Sequence, residues 1–250
     1  MFKDLVDNLE GAHPKRRKIL DVPFVPTDDG VIRAMLKLAG VGRRDVLYDL
    51  GCGDGRILVA AAKAFGTRGV GIDVDPVRIA DAMEYAGNAG VEYLVDFVEE
   101  NIFHADISGA TVVTLYLLDT VNLQLRPRLL NELRAGTRIV SHAFDMGDWE
   151  PDEHLELGGI SLYKWIVPAQ VAGEWEWNGL HGEDYRIALE QRYQRVWGTA
   201  WRDETPLQLD AIKLQGATLV LSMIDDEGQC QRFEIEFDDG DISQVWDTTV

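Results

Sequence analysis

The stretch Val46-Leu47-Tyr48-Asp49-Leu50-Gly51-Cys52-Gly53-Asp54-Gly55-Arg56-Ile57 decides the fold. An apolar strand ends in an acid, a loop with glycine at alternate positions follows, and a helix begins at Arg56. Glycine lets a backbone approach a ligand closely and take φ > 0. The helix behind such a loop offers free N–H groups and the positive end of its dipole. A dinucleotide fold would carry Gly-x-Gly-x-x-Gly here for a pyrophosphate. This loop instead reads Gly-x-Gly-x-Gly and holds two carboxylates, Asp49 and Asp54. Carboxylates repel a pyrophosphate but suit a cation, such as the amino and sulfonium end of S-adenosylmethionine.

The next strand supports that reading. Gly69-Val70-Gly71-Ile72-Asp73 also ends in an acid, positioned to accept from both hydroxyls of a ribose. Asp75 and Pro76 then open a helix. Phe97-Val98-Glu99-Glu100-Asn101 closes the third strand. An asparagine amide there both donates and accepts, which suits the edge of an adenine.

Around these motifs strands alternate with helices. Strands are predicted over residues 45–50, 69–74, 93–98, 111–118, 137–144 and 160–167. Helices are predicted over 56–64, 76–89 and 125–133. That alternation specifies βαβ units and a mostly parallel, doubly wound α/β sheet of Rossmann-like form. The apolar run over 111–118 has the character of a strand buried on both faces. Before the sheet, Thr27 is expected to cap a helix carrying Val31, Met35 and Leu38 and ending near Gly40. Pro23-Phe24-Val25-Pro26 is expected to be extended. Residues 1–19 are expected to form an amphipathic helix broken at Pro14, with the basic run Lys15-Arg16-Arg17-Lys18 on a solvated face.

After Val167 the pattern changes. Residues 168–173 read as a linker, and period-2 alternation then recurs without helices, as in Phe233-Glu234-Ile235-Glu236-Phe237. Turn signals such as Gln215-Gly216 and Asp238-Asp239-Gly240 separate the runs. This predicts an antiparallel meander of about five or six strands, or a small barrel. The chain accordingly divides into a ligand-binding domain over 1–172 and a small β domain over 173–250. The meander's tryptophans, Trp175, Trp177, Trp197, Trp201 and Trp246, are expected to serve mainly as core. The meander itself is expected beside the mouth of the site, selecting the substrate.

Composition narrows the function. With 46% hydrophobic residues the chain is a folding one. No apolar run of about 18 residues suggests a membrane span, and no secretory leader is evident. Two distant cysteines, Cys52 and Cys230, form neither a disulfide framework nor a zinc site, so no metal is expected and the cytoplasm is the default compartment. The formal net charge is −19, of which residues 169–250 carry −11, with 6 Lys+Arg against 17 Asp+Glu. Such a surface repels phosphate backbones within a Debye length of roughly 8 Å. Nucleic acid is therefore a poor partner, and a cationic one is favoured.

The order Asp-x-Gly-x-Gly, strand-end acid and third-strand polar residue resembles class I S-adenosylmethionine-dependent methyltransferases. Residues 23 to about 168 resemble, more narrowly, the small archaeal protein-lysine methyltransferases and the mitochondrial enzymes that modify lysine on part of the ATP synthase. The stretches that carry this are Pro23-Phe24-Val25-Pro26-Thr27, the glycine loop, Ala110-Thr111-Val112-Val113-Thr114-Leu115-Tyr116-Leu117-Leu118, and Arg138-Ile139-Val140-Ser141-His142. Ala143 departs from that family, which is often acidic there, and the β-rich segment after Gly173 lies outside the resemblance. The resemblance implies S-adenosyl-L-methionine as cofactor and a lid role for Val25, Pro26 and Thr27. The expected cofactor-binding set adds Asp49, Gly51, Cys52, Gly53, Asp54, Gly55, Asp73, Val74, Asn101, Ile102 and Leu115.

For the acceptor, Tyr116 is expected to line the methyl-acceptor channel and Asp119 or Asn122 to orient the amine. His142 is the candidate proton acceptor. Protein lysine is the acceptor the resemblance implies. A small-molecule acceptor on the same fold, or a non-catalytic cofactor-binding module, are the alternatives.

Overall fold

The computed structural model describes residues 25–249. The expectations for residues 1–19, for the basic run 15–18, and for Pro23 and Phe24 lie outside them. Strands β1 (Val46–Leu50), β2 (Arg68–Asp73), β3 (Val95–Glu99), β4 (Val112–Leu115) and β5 (Arg138–His142) are parallel. β6 (Glu153–Leu157) and β7 (Ile160–Ile166) complete the sheet as an antiparallel hairpin, giving the order β3-β2-β1-β4-β5-β7-β6. The chain passes from β3 over β2 and β1 to reach β4. This reversal makes the carboxyl ends of β1 and β4 the switch point of the sheet, the place where open α/β sheets bind ligands.

Helices cover both faces. α1 (Asp29–Ala39), α2 (Arg56–Phe65) and α3 (Pro76–Ala89) bury their apolar stripes with Leu47, Val112 and Val140 in one core. α4 (Asp119–Glu132) packs Leu125 and Leu129 with Val113, Leu115, Ile139 and Trp165 in a second. The opposite directions of Val112 and Val113, and of Val140 and Ile139, are the period-2 alternation of strands buried on both sides. Arg138 donates to the carbonyls of Ala39 and Gly40, which fixes the end of α1 beside the start of β5. The other end of α1 therefore lies toward the carboxyl end of β5.

Several expected boundaries move. β4 stops at Leu115 rather than Leu118, because its neighbours end there: Leu50 and Ser141 are its last partners. α4 begins at Asp119, not Leu125, and Pro127 lies inside it. Asp28, not Thr27, caps α1; its carboxylate accepts from the Gly30 N–H at 2.7 Å, while Thr27 is buried. The hairpin strand β6 goes beyond the expected strands, because all five of its residues are exposed and no apolar periodicity marks it.

Residues 168–173 are not a free linker. Ala169 and Val171 are buried in a third core; the Ala169 N–H donates to Gly216 and the Val171 N–H to Gln191 Oε1. Beyond them the meander has seven strands rather than five or six: β8 (Gly173–Asn178), β9 (Asp184–Arg192), β10 (Arg195–Arg202), β11 (Thr205–Gln215), β12 (Thr218–Ile224), β13 (Cys230–Asp238) and β14 (Asp241–Asp247). The sheet curls on itself, since Trp175 and Trp177 of β8 meet Phe237 and Phe233 of β13 edge-on. Trp197 and Trp246 lie outside this core and stay exposed. No helix among the described residues is long and apolar enough to cross a membrane.

Candidate active site

The glycine loop is built as the sequence required. Gly51, Gly53 and Gly55 all have positive φ, at 82°, 54° and 74°. A Cβ at Gly55 would lie 2.7 Å from the Phe97 ring, and one at Gly51 would lie 2.8 Å from Leu117. The N–H groups of Gly51 and Cys52 both donate to Ile72, stitching the loop to β2. Gly51 remains exposed, a stretch of bare backbone at the switch point.

Asp73 ends β2 and closes on the same loop. One carboxylate oxygen accepts from the Gly53 N–H at 3.0 Å, the other from the Asp75 N–H at 2.9 Å. Asp75, not Asp73, caps α3. Each Asp73 oxygen thus keeps acceptor capacity for a further donor. Val74 follows, half-buried. The Glu100 N–H bonds to the Asp73 carbonyl, which brings the end of β3 to this wall. Asn101 is exposed and forms a turn, its Oδ1 accepting from the Phe103 N–H at 2.9 Å. Ile102 packs against the second core, and its carbonyl accepts from Arg128.

The two loop carboxylates have different environments. Asp49 is buried, 3% exposed, and accepts from Thr114 Oγ1 at 2.8 Å. Burial is the main cause that pushes its carboxyl up to about 7; the neighbouring Asp73 and Asp54 add to this, against the Thr114 hydrogen bond. Asp54 is forked onto Arg56, with bonds of 2.9 Å to Nε and 2.6 Å to Nη2. Its carboxyl is lowered because the Arg56 hydrogen bonds and charge outweigh its partial burial. The expectation that both acids are available to a cation therefore changes: Asp54 is already neutralised by Arg56. Arg56 also donates to the Thr27 carbonyl at 3.1 Å and so ties the 25–27 segment to the loop. Val25 and Pro26 beside it are exposed.

Sequence reasoning missed Arg56 and Thr114. The signal for Arg56 was its place two residues after Asp54. For Thr114 it was a lone hydroxyl in the apolar run 110–118. Cys52 is buried, and its thiol is pushed up by desolvation and by Asp49, which leaves it inert. Leu115 is fully buried in the second core.

Tyr116, just past the end of β4, and His142, the last residue of β5, come together. Their rings stack with centroids 3.7 Å apart and an interplanar angle of 24°. Phe144 follows at 6.4 Å from Tyr116. His142 is 5% exposed, its Nδ1 has no hydrogen-bond partner, and burial lowers its pKa. The ring is therefore neutral at neutral pH. Ala143 takes a left-handed φ of 67°, a conformation costing roughly 1–2 kcal/mol for a residue with a Cβ.

Asn122 and Asp119 stand apart from this pair. Asn122 of α4 is fully buried and reaches the sheet from the α4 side, donating to Ser141 Oγ and the carbonyls of Phe144 and Asp145. Asp119 is exposed in the first turn of α4, its Oδ1 accepting from the Thr120 N–H. No group of three or more metal-ligating side chains is found among the described residues.

The strand order, the bare glycine loop and the acid at the end of β2 define an S-adenosylmethionine-dependent methyltransferase. The ANTKMT methyltransferase domain matches residues 49–153. A protein-lysine N-methyltransferase of Saccharolobus islandicus is 46% identical over 137 residues, covering 54% of this chain and 85% of that protein. The chain belongs to that protein-lysine N-methyltransferase family. A human lysine N-methyltransferase named for the ATP synthase is 32% identical, covering 59% of this chain and 61% of the human one. Among solved structures, an RNA methyltransferase from Salinibacter ruber in complex with S-adenosyl-L-homocysteine is 52% identical. It has a TM-score of 0.58 and covers 59% of this chain and 96% of its own.

Proposed function

We propose that the chain transfers methyl groups from S-adenosylmethionine to protein lysine side chains. The observation that carries this is the stacked Tyr116–His142 pair at the carboxyl ends of β4 and β5, next to the glycine loop. A flat aromatic face and a neutral imidazole suit a lysine amine that must arrive without its proton. When bound, S-adenosylmethionine supplies a methyl already activated on a sulfonium. The protein's task is alignment and exclusion of water. A lysine of pKa about 10.4 has to lose its proton first, through desolvation or to a base. His142 is the base within this pair. Tyr116 lines the channel; Asp119, exposed in the first turn of α4, stands apart from it. Asn122 acts from behind by holding the backbone at Phe144 and Asp145.

The residues present fit the cofactor. Gly51, Gly53 and Gly55 give it backbone to lie on, Asp73 accepts from ribose, and the Asn101 amide meets the adenine. Val74 and Ile102 would enclose the adenine, and Cys52 fills the space under the loop; Leu115, expected among the cofactor contacts, lies fully buried in the second core and would act only from behind. Val25, Pro26 and Thr27 form the lid, tethered through Arg56. Asp49, a buried carboxyl held up at about 7, has no cation among the causes that shift it within the described residues, and the cofactor's positive end would supply one. The family relatives act on lysine by name, in archaea and in animals. RNA is a second reading, favoured by the name of the solved relative. The net charge of −19 opposes a phosphate backbone and favours a basic protein segment. A small-molecule acceptor and a non-catalytic module are less favoured, since the loop is intact and the relatives from Saccharolobus islandicus and human are named as lysine methyltransferases. Two cysteines, one buried and one exposed and both free, fit the cytoplasm.

Incubation with radiolabelled cofactor and host lysate, followed by mass mapping, tests the acceptor. Label on lysine peptides is the expected result. Label confined to RNA or to metabolites overturns it.

Two predictions arise here. First, cofactor affinity should depend on pH. A carboxyl raised to about 7 favours the native state while protonated, so its contribution to stability is full below its unfolded value near 3.8 and lost as pH rises through about 7. A cationic ligand favours the ionised form, so binding should tighten as pH rises toward 7, by up to roughly tenfold per unit, and then level off. Thr114→Val, which removes a hydrogen bond that lowers the Asp49 pKa, should move the inflection upward in calorimetric titrations. A flat profile between pH 5.5 and 8 would disprove the pairing with Asp49. Second, Tyr116→Ala should lower turnover at least tenfold, while Tyr116→Phe, which keeps the ring on His142, should lose less. If both stay within threefold of the wild type, Tyr116 does not line the channel.

A further inference from the structure

The turn between β9 and β10 reaches back to the segment that follows His142. Asp148 in that segment accepts from Arg126 of α4 and Arg192 of β9, and lies 3.2 Å from the Tyr193 hydroxyl through both oxygens. Tyr193 sits at the turn with φ 56°, its ring stacked on Trp149 at 5.9 Å. Gln194 accepts from the Trp149 indole N–H at 3.0 Å and donates to the Glu150 carbonyl at 2.7 Å. Arg195 pairs with Glu150.

Exposed ion pairs contribute little one by one. The indole is different, because Trp149 is fully buried. Without Gln194 its N–H would lose its acceptor, and an unsatisfied buried donor is costly. Trp149 in turn accepts through its carbonyl from the Trp165 indole at 2.8 Å. Residues 143–150 are thus held by Asn122 at their start, by Arg126 through the Met146 carbonyl, and by the turn at their end.

We propose that the 192–195 turn is a strut, and that through it the C-terminal sheet seats the methyl acceptor against Tyr116 and His142. Tyr193 and Gln194 are then positioning residues, which act through the backbone of residues 143–150. This rests on the acceptor site proposed above but not on the acceptor being lysine. It also gives the β sheet a part in catalysis that needs no contact with the cofactor.

The test uses full-length Tyr193→Ala, Tyr193→Phe and Gln194→Ala. Cofactor Kd comes from calorimetry, acceptor KM and kcat from initial rates, and protection of residues 143–150 from hydrogen exchange. In the two alanine variants, faster exchange in 143–150 and at least a fivefold fall in acceptor kcat/KM are expected, with cofactor Kd within twofold of wild type. Tyr193→Phe, which keeps the stack, should recover most of the loss. Faster exchange with kcat/KM within twofold would make the turn a structural clamp and overturn the proposal. Unchanged exchange would overturn it too. If the wild-type protein labels an acceptor other than lysine, the lysine reading falls, and the strut is judged by the same ratio on that acceptor.

Discussion

Asp73→Ala should weaken S-adenosylmethionine binding at least tenfold, measured by calorimetry. The carboxylate holds Gly53 and Asp75 by their N–H groups, so its oxygens are aimed before any ligand arrives. A hydrogen bond to a charged group contributes about 1.5–3 kcal/mol, which converts to roughly a 10- to 150-fold loss when a ribose hydroxyl loses its acceptor. Removing the carboxylate also frees the Gly53 N–H, so the loop loses one of its ties to β2 at the same time, while the Gly51 and Cys52 bonds to Ile72 remain. Asp73→Asn separates the two effects only in part, because one amide oxygen replaces two carboxylate oxygens and its NH2 would face a backbone N–H. Its affinity should fall between wild type and Asp73→Ala. An Asp73→Ala protein that binds within threefold of wild type would confine Asp73 to holding the loop and remove it from the ribose.

The elements that sequence reading places well bury one face or carry a motif with a steric cause. α3 is expected over 76–89 and spans Pro76–Ala89, because Asp75 caps it, Pro76 suits its first turn and Gly90 ends it. The glycine loop is legible for the same kind of reason: Gly51 and Gly55 have no room for a side chain. What escapes is set by neighbours distant in sequence. β6 has no buried residue to betray it, although Gly158-Gly159, both with positive φ, mark its turn. The end of β4 is decided by where β1 and β5 stop. At the site, types of residue are legible and pairings are not. Asp49 and Asp54 look alike in sequence, yet one lies buried against Thr114 and the other is forked onto Arg56. Asn122 and His142 are both expected to face the acceptor, but they flank opposite sides of the sheet, as the alternation of Ser141 and His142 requires.

Gly198→Ala should be the most destabilising of the conservative substitutions in the β domain. Gly198 lies in β10 opposite Leu189 of β9. A Cβ there would fall 2.0 Å from the Ala188 carbonyl oxygen and 3.0 Å from its carbon. Both are backbone atoms, so no rotamer change relieves the clash; β9 and β10 have to part. Glycine inside a strand marks such a close approach, here in a sheet curled tightly enough to bring β8 onto β13. Overpacking that displaces backbone costs about 3 kcal/mol or more, which in a chain of this size lowers Tm by roughly 6 °C or more. The matched control is Gly87→Ala in α3, where nothing lies within 4 Å of the added methyl. Alanine is the better helix former there by about 0.5–1 kcal/mol, so Tm should rise slightly. One substitution with two signs isolates the cause as space beside the backbone. Equal Tm shifts for the two variants would show that β9 and β10 separate without cost, and that the curl of the sheet does not depend on Gly198.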